Sequence, residues 1–265
     1  MNNYVTLFDF SGIYEEESFY QQDKSSCFCS IDCRGIPGTN CMCDDAAVSE
    51  IYKRIEKSVT TDPDADADIE ERKNFFAKGI HFIDSGNHHY MSAIITGLIK
   101  EPFSLVVLDH HPDMQPPMFG DILSCGGWVL KVIENNPYVR DIHVIGADRE
   151  LIAKLDENDR ARVSFYDVSD VRDKLPETEH PIFLSIDKDV VTRDELVTNW
   201  DQGEMRKDEL ISFVKELVDN REVLGVDICG ECSPEQEGID VAKETAVNDE
   251  FNTELLNALR DTYFI

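Results

Sequence analysis

Four ionisable residues stand together directly after an apolar run in the stretch VVLDHHPDMQPP. They are Asp109, His110, His111 and Asp113. Placing charged groups against the end of a core strand is costly unless they pair with one another or bind a metal ion. This stretch is therefore the first place to look for a functional site.

Two other apolar runs end in the same kinds of residue. IHFIDSGNHHY contains His88 and His89, and IFLSIDKDV contains Asp187 and Asp189. By contrast, the alternating acids of DPDADAD (62–68) follow no apolar strand, and we interpret them as a solvated turn. Chemistry is therefore expected where the three apolar runs end.

The spacing within DHHPD predicts which of its side chains point the same way. In an extended chain, residues two apart share a face, so Asp109, His111 and Asp113 are expected to point together while His110 points away. Pro112 supports this reading because it disfavours helical geometry at the residue before it. By the same rule Asp187 and Asp189 form a pair.

Converging at one edge of a sheet, these carboxylates would repel one another strongly. Two divalent cations bridged by shared carboxylates would neutralise them, and oxygen ligands with a pair of imidazoles suit Mn²⁺ better than a thiolate-seeking metal. His89 and His110 are expected to face away from the ions, with support of the ligands from behind as an alternative role. The predicted metal ligands are His88, Asp109, His111, Asp113, Asp187 and Asp189.

The elements that must position these residues alternate along the chain. Short apolar strands such as FSLVVLD and PIFLSID are separated by segments with helical spacing such as KDELISFVKELVDN. This alternation predicts one α/β domain over residues 1–265, with three layers and a mostly parallel central sheet. Ligands of such sheets bind beyond the carboxyl ends of the strands, where the candidate residues lie.

Composition narrows the class of protein further. The chain carries 54 acidic residues against 25 Lys and Arg, a formal charge of -29, which argues against binding a nucleic acid backbone. No apolar stretch is long enough to span a membrane and the first residues do not resemble a secretory signal, so a cytoplasmic protein is expected.

Five of the eight cysteines cluster in CFCSIDCRGIPGTNCMC. Their two C-x-C pairs lack the C-x2-C spacing of structural zinc sites, so ordinary reduced thiols are favoured, with zinc or a disulfide left open. The clustered residues are Cys27, Cys29, Cys33, Cys41 and Cys43.

The motifs, in this order, resemble those of the arginase/agmatinase ureohydrolases, which share a fold with histone deacetylases. SGNH (85–88) is similar to the family's G-G-D-H, DHHPD (109–113) to D-A-H-x-D, and SIDKD (185–189) to S-x-D-x-D. The resemblance implies that Asp109 and Asp187 bridge two Mn²⁺ ions. His88 and Asp113 would complete one ion's ligands, and His111 and Asp189 the other's.

The resemblance also implies roles outside the metal ligands. Glu231 in DICGECSP corresponds to the family's acid that contacts the guanidinium, although this segment is one residue longer here. Cys125 in CGG stands at about the position of the family's catalytic His-Gly. The span from Asp113 to Asp187 is short, so the loops that recognise the carboxylate and amine of free arginine are not evident.

Three functions follow as hypotheses. The first is a ureohydrolase: a hydroxide shared by two cations attacks a guanidino carbon, Asp113 passes a proton to the departing amine, and Glu231 holds the guanidinium. Its substrate could be a small molecule or a bulky one, such as an arginine side chain within a peptide. The second is a hydrolase of another linear amide or amidine, a deacetylase or formimino hydrolase. The third is a metal-binding regulatory protein without turnover, which the change at Cys125 favours. Family members commonly assemble, so a homo-oligomer is also open.

Overall fold

A computed structural model of the protein describes residues 4–21, 27–60, 68–172 and 174–263. The acidic turn expected in DPDADAD lies outside these residues, apart from Asp68. The strands are β1 (Tyr4–Asp9), β2 (Cys27–Asp32), β3 (Met42–Cys43), β4 (Ile80–Phe82), β5 (Phe103–Leu108), β6 (Leu123–Ser124), β7 (Val139–Ile145), β8 (Ser164–Tyr166), β9 (Ile182–Asp187) and β10 (Val223–Cys229).

Eight of these strands form one sheet in the order β2-β1-β4-β10-β9-β5-β7-β8, and every neighbouring pair is parallel. Strands β3 and β6 form a separate antiparallel ribbon. The prediction of a mostly parallel sheet is confirmed.

Helices cover both faces of this sheet. Side chains alternate along the buried strands: Val106 and Leu108 of β5 belong to one apolar core, and Leu105 and Val107 belong to the other. The three-layer architecture is therefore confirmed. The helices are α1 (Asp45–Thr60), α2 (Ile69–Ala77), α3 (Met91–Thr96), α4 (Trp128–Asn135), α5 (Arg149–Ile152), α6 (Glu157–Arg160), α7 (Lys207–Asn220) and α8 (Val241–Tyr263).

Two segments outside the site form elements that the apolar patterns do not predict. The first half of the cysteine cluster is an edge strand, β2, which pairs with β1 along its whole length. The segment ELIAKLDENDRARV forms two short helices rather than one, because Asp148 and Asp156 each accept hydrogen bonds from the first turn of a helix and so begin α5 and α6 separately.

The thiols of this cluster that the structure describes are not joined in disulfides, as expected for reduced cysteines. None of the helices among the described residues combines the length and the apolar character that crossing a bilayer requires.

Candidate metal centre

The candidate site lies beyond the carboxyl ends of the central strands. β9 runs between β5 and β10, with Leu108 opposite Ile186 and Cys229 opposite Asp187. The residue that follows β5 is Asp109, so the register places it beside Asp187. Topology thus brings together groups that are far apart in the chain.

One group of donors gathers around His89. Its Nδ1 atom lies 3.1 Å from Oδ2 of Asp113, 3.2 Å from Oδ2 of Asp109 and 3.4 Å from Oδ2 of Asp187. Its other ring nitrogen, Nε2, lies 2.9 Å from Oγ of Ser185, which fixes the ring with Nδ1 towards the carboxylates. The imidazole and all three carboxylates are buried.

A second group of donors shares Asp109 with the first. Nδ1 of His111 lies 2.8 Å from Oδ2 of Asp189 and 3.5 Å from Oδ1 of Asp109. The three side chains offer ligand atoms that all lie within 4.8 Å of one another. Two adjacent donor groups that share a carboxylate are the arrangement that a dinuclear centre requires.

Unpartnered atoms show that this cluster suits cations. Nδ1 of His89 and Oδ2 of Asp109 are buried, approach each other closely, and make no hydrogen bond among the described residues. Buried polar atoms without partners are rare in proteins. Oxygen donors with two imidazoles fit a hard or borderline divalent ion such as Mn²⁺.

Electrostatics point to the same conclusion. Burial, with the nearby charges of Asp189 and Asp109, raises the pKa of Asp187 to about 7. Burial and the charge of Asp109 likewise raise the pKa of Asp189 to about 6. Burial alone would lower the pKa of His111, but the carboxylates of Asp109 and Asp189 raise it to about 12. Negative charge is therefore in excess here, as in a site built for cations.

The structure corrects the assignment of His88 as a metal ligand. Its ring stacks on Phe10 with centroids 4.1 Å apart, and its Nδ1 lies 3.5 Å from Oγ of Ser85. His88 ends a 3-10 turn (Gly86–His88), so consecutive side chains diverge and His89 takes the place at the carboxylates. The expectation that His89 faces away was wrong for the same reason.

The DHHPD segment groups its side chains as expected but not by being extended. The chain bends after β5: the His111 amide donates to Oδ1 of Asp109 at 2.6 Å, and the His110 amide donates to Oδ1 of Asp189 at 2.9 Å. Asp113 adopts a φ of 47°, which is uncommon outside glycine. The His110 side chain points away from the carboxylates of the two donor groups, and its Nε2 lies 3.9 Å from Oδ2 of Asp201.

Glu231 is not available to hold a guanidinium in this structure. Its Oε1 pairs with Nζ of Lys188 at 2.5 Å, and both side chains are buried. The Lys188 ammonium also donates to Asn248 and Asn252 of α8. The expected substrate contact is therefore corrected to a buried ion pair that fastens the last helix.

The turn after β10 explains why Glu231 faces this way. Gly230 has a φ of 99°, and a Cβ there would lie 2.6 Å from Oδ1 of Asp187 and 2.8 Å from the backbone nitrogen of Lys188. Only glycine fits so close to the metal-site strand, and its turn carries the next side chain away from the site. A buried lysine needs a counter-charge, which Glu231 provides.

A cavity of about 170 Å³ opens over the carboxylates. Cys125 lies in its wall, as do Cys41, Gln115, Met118 and Trp200. Asp201 follows Trp200 in the chain. Its Oδ1 lies 3.2 Å from Nε2 of His111 and so orients that ring from the side opposite the carboxylates of Asp109 and Asp189.

Two neighbours of the site were not recognised as such from sequence. The Trp128 indole donates from Nε1 to Oδ2 of Asp113 at 2.8 Å, which orients that carboxylate. The Cys229 thiol donates to Oδ2 of Asp187 at 3.1 Å and could serve as a further metal donor. An apolar residue and a cysteine at a strand end carry no distinctive sequence signal.

Comparison with known proteins agrees with this architecture. No protein-family model matches the chain. An uncharacterized protein of Thermotoga maritima is 28% identical over 232 residues, which cover 87% of this chain and 81% of that protein.

Similar solved structures include the agmatine ureohydrolase of Thermoplasma volcanium, at 13% identity and TM-score 0.67, covering 99% of this chain and 91% of that one. The formiminoglutamase of Trypanosoma cruzi with Mn²⁺ is 12% identical, with TM-score 0.62 and coverage of 97% and 93%. The arginase of Bacillus subtilis is 15% identical, with TM-score 0.61 and coverage of 97% and 98%. The chain therefore has the fold of the arginase and agmatinase ureohydrolases.

Proposed function

We propose that the protein is a divergent member of the arginase/agmatinase family, a hydrolase with a dinuclear Mn²⁺ centre that cleaves a guanidino group into urea and an amine. The observation that carries the proposal is the shared carboxylate of Asp109 between two donor groups, each with one imidazole. The residues proposed to hold the ions are His89, Asp109, His111, Asp113, Asp187 and Asp189.

Manganese is proposed because the ligand set is mainly oxygen, as in sites that select hard divalent ions. The formiminoglutamase of Trypanosoma cruzi, which has the same fold, was solved with Mn²⁺. When bound, a pair of such ions lowers the pKa of a shared water towards neutrality and stabilises developing negative charge.

The remaining chemistry belongs to the side chains of the cavity. Asp113 is proposed to pass a proton to the departing amine, with its carboxylate oriented by the Trp128 indole at 2.8 Å. Cys125 is less suited to moving this proton, since its hydrogen bond to Cys41 and its burial raise the pKa of its thiol. We propose that Cys125 shapes the substrate pocket rather than replacing the family's catalytic histidine.

A bulky or peptide-borne guanidino group is the substrate we favour. Met118, which lines the cavity, and the next residue, Phe119, are 80% and 61% exposed and could contact a chain that continues beyond the guanidinium. Exposed large apolar residues beside a pocket are typical of binding surfaces. No nucleic acid or membrane partner is proposed, and the reduced thiols suit a cytoplasmic protein.

A formimino compound is the second candidate substrate. Glu231, the acid expected to recognise a guanidinium, is engaged in a buried ion pair with Lys188. A substrate with a smaller amidine group needs less of that recognition. Release of formamide and the free amine, rather than of urea, distinguishes this reaction from the first.

The test combines metal analysis with a panel of substrates. The purified protein, loaded with Mn²⁺ and dialysed, is analysed for bound metal and then incubated with arginine, agmatine, a peptide with an internal arginine, and formiminoglutamate. Two Mn²⁺ per chain with urea release supports the proposal. Two Mn²⁺ without hydrolysis of any substrate favours a regulatory metal-binding protein, and no stoichiometric metal contradicts the dinuclear centre. Size-exclusion chromatography of the same sample shows whether it is a homo-oligomer.

A further inference from the structure

Two cysteines from separate segments meet in the wall of the cavity. Cys41 directly precedes β3 and Cys125 directly follows β6, so they are the next residues opposite each other beyond this antiparallel ribbon. The Cys125 amide donates to the Cys41 carbonyl at 2.9 Å, which extends the ladder to this pair. Both residues line the cavity over the carboxylates.

A pair joined across a ribbon in this way has the backbone spacing that a disulfide needs, and Cys41, with a φ of 59°, is where the ribbon ends. Residues that face each other as a hydrogen-bonded antiparallel pair have Cα atoms about 5.5 Å apart. Disulfides are most common at Cα separations of about 5.5–6 Å. The two side chains also interact, since a hydrogen bond from Cys125 is the main influence on the pKa of the Cys41 thiol.

Among the described cysteines whose pKa is shifted, Cys41 is the one with a lowered pKa and so the most reactive thiol. The hydrogen bond from Cys125 lowers the pKa of Cys41 to about 7, so much of it is thiolate near neutral pH. By contrast, burial raises the pKa of Cys33 and of Cys43 to about 12. Cys41 is half-buried and faces the cavity, where a small oxidant can reach it. Thiolate character with access is what makes a cysteine redox-active.

We propose that Cys41 and Cys125 form a reversible disulfide across the end of the β3–β6 ribbon, which makes the wall of the cavity a redox-sensitive site. Hydrogen peroxide serves as the oxidant: the Cys41 thiolate attacks one oxygen, the O–O bond breaks, and a sulfenic acid and water form. The Cys125 sulfur then attacks the Cys41 sulfur, an S–S bond forms and a second water leaves. Two thiols are oxidised, one peroxide is reduced to two waters, and a dithiol reductant reverses the change.

The bond would tie together two segments that support the site. Beside Cys41, the Asn40 side chain accepts a hydrogen bond from the Asn87 amide in the turn before His89. After Cys125 the chain enters α4, whose first residue, Trp128, orients Asp113. Joining the two sulfurs by a covalent bond of about 2 Å is expected to shift the segments that carry Asn40 and Trp128. This consequence for turnover rests on the proposed function, whereas the disulfide itself does not.

The experiment maps disulfides in the full-length protein. Reduced protein is treated with hydrogen peroxide, its free thiols are blocked, and it is digested without reductant for mass spectrometry. We expect a linked pair of peptides containing Cys41 and Cys125, the loss of two of eight free thiols, and their recovery with dithiothreitol. Urea release, if present, is expected to fall at least tenfold on oxidation and to return on reduction.

Three variants make the result specific. Cys41→Ser and Cys125→Ser are expected to abolish the linked peptides, while Cys29→Ser on β2 is expected to form them as the unaltered protein does. Circular dichroism of each variant checks that it folds. A link between other cysteines, or overoxidation of Cys41 without a link, would overturn the proposal even if urea is released. If the Cys41–Cys125 disulfide is found but none of the substrates is hydrolysed, the redox proposal is supported and only the proposed function is contradicted.

Discussion

Replacing Asp187 by asparagine separates a metal site from an ordinary buried carboxylate. The substitution keeps the size of the side chain and removes its charge. Oδ1 of Asp187 accepts from the Asp189 amide at 2.9 Å, and the asparagine oxygen can keep that bond. The variant therefore tests the charge of Asp187 rather than its packing.

The structure sets the magnitude and sign of the effect without metal. The pKa of Asp187 is raised from 3.8 to about 7, so protonation favours the folded state. This stabilisation is present below pH 4 and is lost as the pH rises through 7. At about 1.4 kcal/mol per pKa unit, the ionised group costs the fold on the order of 4 kcal/mol at pH 8. Asparagine avoids this cost, and allowing for imperfect hydrogen bonds we expect it to stabilise the metal-free protein by about 1–3 kcal/mol.

Metal reverses the comparison. A ligand present at 100 times its dissociation constant stabilises the fold that binds it by about 2.7 kcal/mol. We expect Mn²⁺ to stabilise the unaltered protein by at least this much and to have little effect on the Asp187→Asn variant. Urea denaturation at pH 8, followed by tryptophan fluorescence in EDTA and in Mn²⁺, measures both differences.

Asp84→Asn is the matched control. Asp84 is also buried, but Oδ2 of its carboxylate accepts from the backbone amides of Phe10 and Ser11, and Asp84 lies in neither donor group. This variant is expected to lose about 1.5–3 kcal/mol and to keep its full response to Mn²⁺. If Asp187→Asn destabilises the metal-free protein as Asp84→Asn does, or still responds to Mn²⁺, the reasoning about a cation centre is refuted.

Three further predictions follow from the same geometry. His89→Ala is expected to lower Mn²⁺ affinity at least a hundredfold, whereas His88→Ala loses only the stacking on Phe10 and keeps the metal stoichiometry. Isothermal titration measures the affinity and metal analysis the stoichiometry; loss of metal in His88→Ala but not in His89→Ala would favour the motif alignment over the structure. Mn²⁺ affinity is expected to rise at least tenfold from pH 6 to pH 8, because the ion displaces protons from Asp187 and from neighbouring groups with raised pKa values; titrations that do not depend on pH would contradict it. Glu231→Gln is expected to cost about 3–5 kcal/mol of stability, since it removes the carboxylate that pairs directly with the buried Lys188 ammonium, with little change in KM for a guanidino substrate; a large rise in KM with normal stability would return Glu231 to the substrate pocket.

Local patterning was enough to predict the main elements. The apolar run before Asp109 became β5, and the apolar run that ends in Asp187 became β9, because a strand buried on both faces needs a short continuous apolar sequence. The short strands β3 and β6 were missed, since two-residue pairings leave no periodic signal. Their pairing depends on contacts between distant segments.

The candidate site was predictable in composition and less so in orientation. Asp109, His111 and Asp189 meet as expected, because parallel strands deliver their following residues to one edge of the sheet. The choice between His88 and His89 depended on the 3-10 turn Gly86–His88, which the sequence pattern does not predict and which ends just before His89. A single residue of offset is enough to turn an imidazole from the carboxylates to Phe10.

The sequence alone determined that acids and histidines follow buried strands, and with that the parallel α/β fold and the expectation of cations at one edge. Only the tertiary structure decided which side chains face that edge. It assigned Glu231 to Lys188 and brought Cys41 next to Cys125. The physical reason is that strand periodicity is a local property of the chain. The direction of a side chain after a turn depends on backbone angles and on the partners that distant segments supply.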